Sequence, residues 1–118
     1  NPDAVRDAVQ NAKMNDVKNI QFYCNDAGRF IVNMAEKGEK VDVILMDPPR
    51  SGSTKEFIDA VAKMGPERVV YVSCGPETLV RDLRWFMGNG YRAVEAWPVD
   101  MFAFVDHTEC IVKLERVN

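Results

Sequence analysis

Three side chains that could take part in binding or catalysis follow apolar segments of the chain. Asp26 comes shortly after IQFYC, Asp47 follows VDVILM directly, and Cys74 follows RVVYVS. A carboxylate can hold a cation or accept a proton, and a thiolate can attack electron-poor carbon. Free cysteines are usually buried, so a thiol at the end of an apolar segment needs a specific explanation. The three positions together indicate a binding or catalytic site that combines acids with a nucleophile.

The residues after Cys74 suggest why a thiol stands there. Gly75 and Pro76 come next, and proline is favoured in the first turn of a helix. Helical spacing of apolar residues then follows, at Leu79, Val80, Leu83 and Phe86. The exposed N–H groups at a helix start favour a nearby anion, so this position suits a reactive thiolate. Taken alone, Cys74 is also compatible with a small buried residue.

The stretch DPPRSG at residues 47–52 ends an apolar segment abruptly. Proline lacks the N–H that a strand needs, and it restricts the preceding residue to extended geometry. The carboxylate of Asp47 is therefore predicted to be fixed at the end of a strand. The simplest alternative is an ordinary turn with a solvated aspartate. The nearby Arg50 and Gly52 favour a functional interpretation.

The apolar periodicity predicts the elements that must position these groups. Helices are predicted at 3–15, 27–38, 54–65 and 76–90, and strands at 20–24, 41–46, 68–73, 91–99 and 109–117. This alternation is typical of an α/β fold with a mostly parallel, doubly wound sheet, helices on both faces and an antiparallel C-terminal end. In such sheets ligands bind beyond the carboxyl ends of the strands. Asp26, Asp47 and Cys74 are therefore expected at one rim.

The composition limits the function classes. The 118 residues have the length of one domain, and 47% hydrophobic and 28% charged residues are ordinary for a globular protein. The net charge of −3 argues against a stand-alone nucleic-acid binder, so any RNA site must be local. No apolar run approaches the ~20 residues of a membrane span, and no signal peptide is evident, so we expect a cytoplasmic protein.

The cysteine count argues against a disulfide framework and a zinc site. The chain has three cysteines without C-x-x-C spacing. Cys24 and Cys110 fall inside predicted strands, and we expect both in the core. Cys74 remains as the candidate functional thiol.

Three motifs, in order along the chain, resemble a known family. DPPRSG, YVSCGPETLVRDL and PVDMFAFVDHTECIV are similar to the C-terminal part of the S-adenosylmethionine-dependent RNA (uracil-5-)-methyltransferases, and the resemblance covers nearly the whole chain. It implies a Rossmann-like class I methyltransferase fold and methylation of C5 of a uridine in ribosomal or transfer RNA. By this resemblance Cys74 is the nucleophile and Glu109 the base. Asp26 and Asp47 lie on the side of the methyl donor, S-adenosylmethionine.

The chemistry of uracil accounts for these residue types. C5 of uracil is a poor nucleophile, but a thiolate that adds to C6 converts the ring into an enolate whose C5 can accept a methyl group. The C5 proton must then leave before the thiol is eliminated, and a carboxylate such as Glu109 can take it. Without the family context, Glu109 would be a solvated acid at the start of a strand.

Further residues are candidates for contact with RNA. His107 could orient Glu109 or bind phosphate, and it could equally be a loop residue. Phe102 and Phe104 could stack on an extruded base or simply anchor a loop. A patch of cations could contact phosphates, although solvated helix faces explain Arg81 and Arg84 nearly as well; its members are Arg50, Lys55, Arg81 and Arg84.

The chain also departs from the family pattern. The asparagine usual after the cysteine is Gly75, and Ala103 and Phe104 stand where proline and histidine are usual. The glycine-rich donor loop and the next strand of the family are not found in these residues. We therefore expect a partial fold, a C-terminal fragment that binds S-adenosylmethionine weakly and self-associates through exposed strand edges.

Two other functions stay open at this point. One is an S-adenosylmethionine-dependent N-methyltransferase that holds an amino group at the DPP turn. The thiol of Cys74 argues against it, because N-methylation needs no covalent intermediate. The other is a non-catalytic interaction module that kept the sheet.

Overall fold

Residues 1–117 are described by a computed structural model, as four helices and four strands. The predicted boundaries agree with the structure to within a few residues, except at 20–24. The elements in chain order are α1 (Pro2–Met14), α2 (Ala27–Glu36), β1 (Val43–Met46), α3 (Lys55–Met64), β2 (Arg68–Ser73), α4 (Pro76–Gly88), β3 (Tyr91–Val99) and β4 (Glu109–Arg116).

The strands form one mixed sheet in the order β1-β2-β4-β3. β1 and β2 are parallel, while β4 lies antiparallel to both β2 and β3. The parallel pair is connected through α3, as a parallel connection requires a crossover. The predicted α/β fold with an antiparallel C-terminal end is confirmed. The described sheet is mixed rather than mostly parallel, because one of its three strand pairs is parallel and two are antiparallel. β1 and β3 are the two edges of the sheet in residues 1–117.

The core lies on one face of this sheet. Val69 and Tyr71 of β2 are paired with Leu114 and Val112 of β4, and all four are buried. α3 and α4 cover the same face with Ile58, Val61, Leu79 and Phe86. Each such side chain stabilises the fold by about 1.5–3 kcal/mol when fully buried.

The opposite face of the sheet is only partly covered. Leu45 of β1 is 75% exposed, and Val43 is 44% exposed. α2 packs on α3 through Ala35, Ala60 and Met64, so it lies on the same side of the sheet as the core. The prediction of helices on both faces is therefore wrong for the described helices α2, α3 and α4.

Local signals explain where the helices begin and end. The hydroxyl of Thr54 accepts a hydrogen bond from the N–H of Phe57 at the start of α3, and Gly65 ends that helix in the left-handed conformation. Pro76 opens α4, where a missing N–H has no cost. None of the helices in residues 1–117 is long and apolar enough to cross a membrane.

The segment between α1 and α2 differs from the prediction. Residues 20–24 are not a strand, because none of the four strands lies beside them to complete a ladder of hydrogen bonds. α1 has no buried residue. Cys24 is exposed, so its predicted place in the core is wrong for the same reason, whereas Cys110 is half-buried and packs against the core.

Candidate active site

The turn after β1 forms one wall of a cavity of about 530 Å³. Asp47 begins this turn, which we define as residues 47–53. The cavity is lined by acidic groups and by apolar ones, among them Asp26, Asp47, Pro48, Met46 and Phe57. It can therefore accept a ligand with both a positive charge and a flat apolar part.

Asp26 reaches this cavity by a different route from the one predicted. It is the N-cap of α2, and its Oδ1 accepts a hydrogen bond of 2.9 Å from the N–H of Arg29. The cap fixes the carboxylate at the helix start without a preceding strand. The structure thus brings Asp26 and Asp47 to one cavity, as the sequence predicts, although the strand before Asp26 is not formed.

Cys74 lies in a second cavity, of about 280 Å³, at the start of α4. The thiol is half-buried and free. The residues around it include Arg50, Gly75, Thr78 and His107. Two of the predicted substrate contacts, Arg50 and His107, therefore share a cavity with the predicted nucleophile.

The register of the sheet relates Cys74 to Glu109. The last pair between β2 and β4 joins Ser73 to Cys110. One step further along the two antiparallel chains, Cys74 is level with Glu109. Opposite residues on neighbouring strands have Cβ atoms about 5 Å apart. Cys74 and Glu109 are therefore at the same end of the sheet, and Glu109 is half-buried there, although it does not line the cavity of Cys74.

The segment between β3 and β4 is exposed. Phe102 is 54% exposed, and Phe104 is fully exposed with a φ of 65°. Neither side chain lines the two cavities described above. The structure thus leaves Phe102 outside the group formed by Cys74, Arg50 and His107, and both aromatic rings face solvent.

The turn 47–53 is fastened to α4 by hydrogen bonds. Thr78 Oγ1 donates to the carbonyl of Arg50 at 2.9 Å. Arg81 Nη2 donates to the carbonyls of Ser51 and Ser53, both at 2.9 Å. The N–H of Ser53 donates to Asp82 Oδ2 at 2.6 Å. We use the name clamp for the side chains of Arg81 and Asp82 and their hydrogen bonds to the turn.

Asp82 is a fully buried carboxylate within the clamp. It accepts hydrogen bonds from Tyr71 Oη at 2.6 Å, from Arg81 Nε at 2.9 Å and from Arg81 Nη2 at 2.8 Å, besides that from Ser53. A buried charge is stable only when paired in this way. Burial, together with the hydrogen bond to Asp82, raises the pKa of Tyr71, so its phenol stays protonated as a donor.

The backbone at Gly52 lies against the clamp. A Cβ at this position would lie 2.6 Å from Arg81 Nη2 and 2.7 Å from Asp82 Oδ2, and the φ of Gly52 is +76°. Only glycine adopts this conformation without strain and leaves room for the two side chains. The close approach accounts for the glycine in DPPRSG.

Reasoning from the sequence missed the role of the clamp. Arg81 was expected to contact phosphate or to be solvated, but it binds the turn instead. One signal was available: Asp82 falls three residues after Leu79 and four before Phe86, on the buried face of α4. A carboxylate at such a position needs a fixed partner.

Comparison with known proteins assigns the chain to a family. Residues 2–117 match the tRNA (uracil-5-)-methyltransferases. The chain belongs to this family. A similar uncharacterized RNA methyltransferase from Caldanaerobacter subterraneus is 47% identical over 98% of this chain and 25% of its own length. A second one, from Lactobacillus johnsonii, is 46% identical over 98% of this chain and 26% of its own length.

Two solved structures share the fold of this chain. The Pyrococcus abyssi tRNA (uracil-54, C5)-methyltransferase, in complex with S-adenosyl-L-homocysteine, superposes with a TM-score of 0.82 and 31% identity, over 97% of this chain and 26% of that one. TYW2 from M. jannaschii, in complex with AdoMet, shares the fold alone, at a TM-score of 0.65 and 19% identity over 99% of this chain and 55% of that one. The chain spans about a quarter of the length of the curated relatives and of the Pyrococcus abyssi enzyme.

Proposed function

We propose that this chain is the C-terminal part of the catalytic domain of an RNA (uracil-C5)-methyltransferase that uses S-adenosylmethionine. The observation that carries the proposal is the register of β2 and β4, which makes Cys74 level with Glu109. This pairs a nucleophile with a base beside a cavity that also holds Arg50 and His107. Membership of the family supports the same assignment.

The larger cavity fits the methyl donor. Asp26 and Asp47 supply carboxylates that can hold positively charged or hydroxyl groups of S-adenosylmethionine, and Phe57 and Met46 supply apolar surface for its adenine. When bound there, the cofactor supplies an electrophilic methyl group. The turn 47–53 lies between this cavity and that of Cys74, since Asp47 lines the first and Arg50 the second.

The remaining chemistry falls to residues of the chain. Addition of the Cys74 thiolate to C6 forms an Sγ–C6 bond and moves the C5–C6 electron pair into an enolate, which makes C5 nucleophilic. Once C5 carries the methyl group, the Glu109 carboxylate accepts the C5 proton. The Sγ–C6 bond then breaks, which restores the C5–C6 double bond and the thiolate.

The RNA substrate is held by local contacts. Arg50 and His107 flank Cys74 and can bind phosphate, whereas the exposed ring of Phe102 can stack on a base. The substrate is a uridine of ribosomal or transfer RNA, and we place the enzyme in the cytoplasm with it. Methylation of an amino group is the weaker alternative, because it leaves Cys74 and Glu109 without a role.

Methyl transfer by the full-length protein that contains this chain tests the proposal. The readouts are the incorporation of labelled methyl groups into RNA and the release of tritium from uridine labelled at C5. We expect Cys74→Ser to abolish both, since its hydroxyl is a far weaker nucleophile. Cys24→Ser, at an exposed thiol outside both cavities, is the matched control and retains them. Methyl transfer that survives Cys74→Ser, or a methylated amino group as the product, contradicts the proposal.

The role of Glu109 has its own test in the full-length protein. Glu109→Gln keeps the shape of the side chain but cannot accept the C5 proton. We expect the covalent RNA adduct to form and to accumulate on a denaturing gel, because its release follows proton abstraction. Release at the wild-type rate contradicts this role.

We further propose that the isolated chain self-associates through β1. This strand is an edge of the sheet, and its Leu45 is 75% exposed. An apolar edge strand with unpaired backbone groups is a template for pairing with another chain.

A further inference from the structure

We infer that Arg81 and Asp82 are positioning residues that hold the cofactor side and the nucleophile side of the site in a fixed relation. The inference rests on the proposed function. Neither residue lines the two cavities, so they act through the turn 47–53 rather than on a substrate. Side chains of α4 form hydrogen bonds with four backbone groups of that turn. These groups are the carbonyls of Arg50, Ser51 and Ser53 and the N–H of Ser53.

The turn depends on α4 for its shape. Two prolines at 48 and 49 remove backbone donors, and the internal backbone bond that remains within the turn joins the N–H of Gly52 to the carbonyl of Pro49 at 2.8 Å. The planar guanidinium of Arg81 spans two carbonyls and Asp82 at once. A lysine cannot reproduce this fork of donors.

Burial of Asp82 anchors the clamp to the core of the protein. The side chain of Asp82 is fully buried, and Tyr71 holds it from β2 at 2.6 Å. Its bond to the N–H of Ser53 joins residues 29 positions apart in the chain. The turn is therefore tied by hydrogen bonds to α4, and through Asp82 to Tyr71 of β2.

This connection decides how Asp47 and Cys74 are spaced. α4 begins at Pro76, two residues after Cys74, and the turn begins at Asp47. A turn released from α4 would move the cofactor cavity relative to the thiol. Misplacement of reacting groups by about 1 Å can slow a reaction by about a hundredfold. Addition of the thiol to C6 needs no cofactor, and the bond from Thr78 to the carbonyl of Arg50 keeps that residue beside the thiol when Arg81 or Asp82 is changed, so we expect addition to be less affected.

A comparison of two reactions of the full-length protein tests the inference. The first is methyl transfer from S-adenosylmethionine to RNA. The second is the exchange of tritium at C5 of uridine with solvent in the absence of cofactor. In that exchange Cys74 adds to C6, C5 takes a proton from water, Glu109 removes the labelled hydrogen, and the Sγ–C6 bond breaks.

Three variants separate positioning from stability. We expect Arg81→Lys and Asp82→Asn to slow methyl transfer by about ten- to a hundredfold and to change exchange by less than about threefold. Tyr71→Phe is the control for stability, because it removes one hydrogen bond to Asp82 Oδ2 and leaves the bonds of Asp82 to Ser53 and Arg81 in place. We expect it to lower the midpoint of thermal unfolding but to keep the ratio of the two rates.

The outcomes distinguish this inference from the function on which it rests. If Arg81→Lys and Asp82→Asn slow both reactions equally, or slow neither, the clamp is merely structural and the inference is overturned. If Asp82→Asn fails to fold, Arg81→Lys decides, because the Arg81 side chain is 42% exposed and we expect its replacement to leave the fold intact. A wild-type protein that catalyses neither reaction contradicts the proposed function and removes this inference with it.

Discussion

Two irregular segments border the candidate cofactor cavity, and they are held in very different ways. The turn 47–53 is bonded to α4 through Thr78, Arg81 and Asp82. The side-chain contacts of Tyr23 in residues 15–26 are local: its hydroxyl donates to Gln21, and its ring packs on Phe30 at 4.7 Å. The first segment is defined by tertiary contacts and the second by local ones.

The comparison teaches what an apolar pattern needs before it becomes structure. IQFYC at 20–24 and VDVILM at 41–46 both have the composition of a strand. The second forms β1 because β2 lies beside it, and the first has no neighbouring strand in residues 1–117. Strand propensity identifies candidate strands, and a candidate forms a strand only where a neighbouring strand completes its backbone hydrogen bonds.

The sharpest way to break the comparison is to remove an apolar side chain from the helix next to each segment, α4 for the turn 47–53 and α1 for residues 15–26. Phe86 of α4 is fully buried and meets Tyr91 edge to face, with ring centroids 5.8 Å apart. We expect Phe86→Ala to lower the free energy of unfolding by about 3–5 kcal/mol, because it leaves a cavity. Val9→Ala in α1, which has no buried residue, is expected to change it by less than about 0.5 kcal/mol. Urea unfolding followed by tryptophan fluorescence measures both, and equal effects contradict the account.

Cofactor binding provides the second test. Asp26 lies at the end of the segment 15–26 and lines the cavity that we propose for the methyl donor. We expect the affinity of the isolated chain for S-adenosylmethionine to be at least about a hundredfold lower than that of the full-length protein, a difference of about 2.8 kcal/mol. Calorimetric titration measures the affinity, and light scattering reports the expected self-association. Micromolar binding of S-adenosylmethionine by a monomeric isolated chain would contradict this expectation. It would show that the local contacts of residues 15–26 are enough to form the cofactor site.

Two glycines sharpen the comparison at the turn. Gly52 and Gly38 both have a φ of +76°, but a Cβ at Gly38 would meet nothing within 4 Å. We expect Gly38→Ala to destabilise the fold by about 1–2 kcal/mol, from backbone strain alone. Gly52→Ala is expected to cost a further ~1–2 kcal/mol, because the new methyl group forces Arg81 and Asp82 apart. Thermal unfolding of both variants measures how much more Gly52→Ala destabilises the fold than Gly38→Ala. Equal destabilisation would mean that Arg81 and Asp82 move aside without an energetic cost.

The sequence was sufficient where local chemistry decides the structure. The strand 68–73 has the predicted bounds, and α3 lies within the predicted 54–65, because Thr54 and Gly65 mark its ends locally. The rim positions of Asp47 and Cys74 follow from the same pattern of strand and helix.

The sequence was insufficient where a distant partner decides. Cys24 was expected in the core, but its segment lacks a neighbouring strand and the thiol is exposed. The clamp joins Asp82 to Ser53 across 29 positions, and the apolar periodicity of the two segments does not predict that contact. The register that makes Cys74 level with Glu109 likewise follows from the pairing of β2 and β4. Sequence motifs suggested these two residues, and only the sheet relates them in space.

The central claim is that Cys74 is the covalent nucleophile toward uridine, and one measurement tests it most directly. The full-length protein is incubated with S-adenosylmethionine and RNA that contains 5-fluorouridine, and the digested complex is analysed by mass spectrometry. Fluorine cannot leave C5 as a proton does, so the adduct should persist after methyl transfer. The account predicts a methylated fluorouridine attached to the peptide that contains Cys74. An adduct on another residue, or one that forms unchanged in Cys74→Ala, would contradict it.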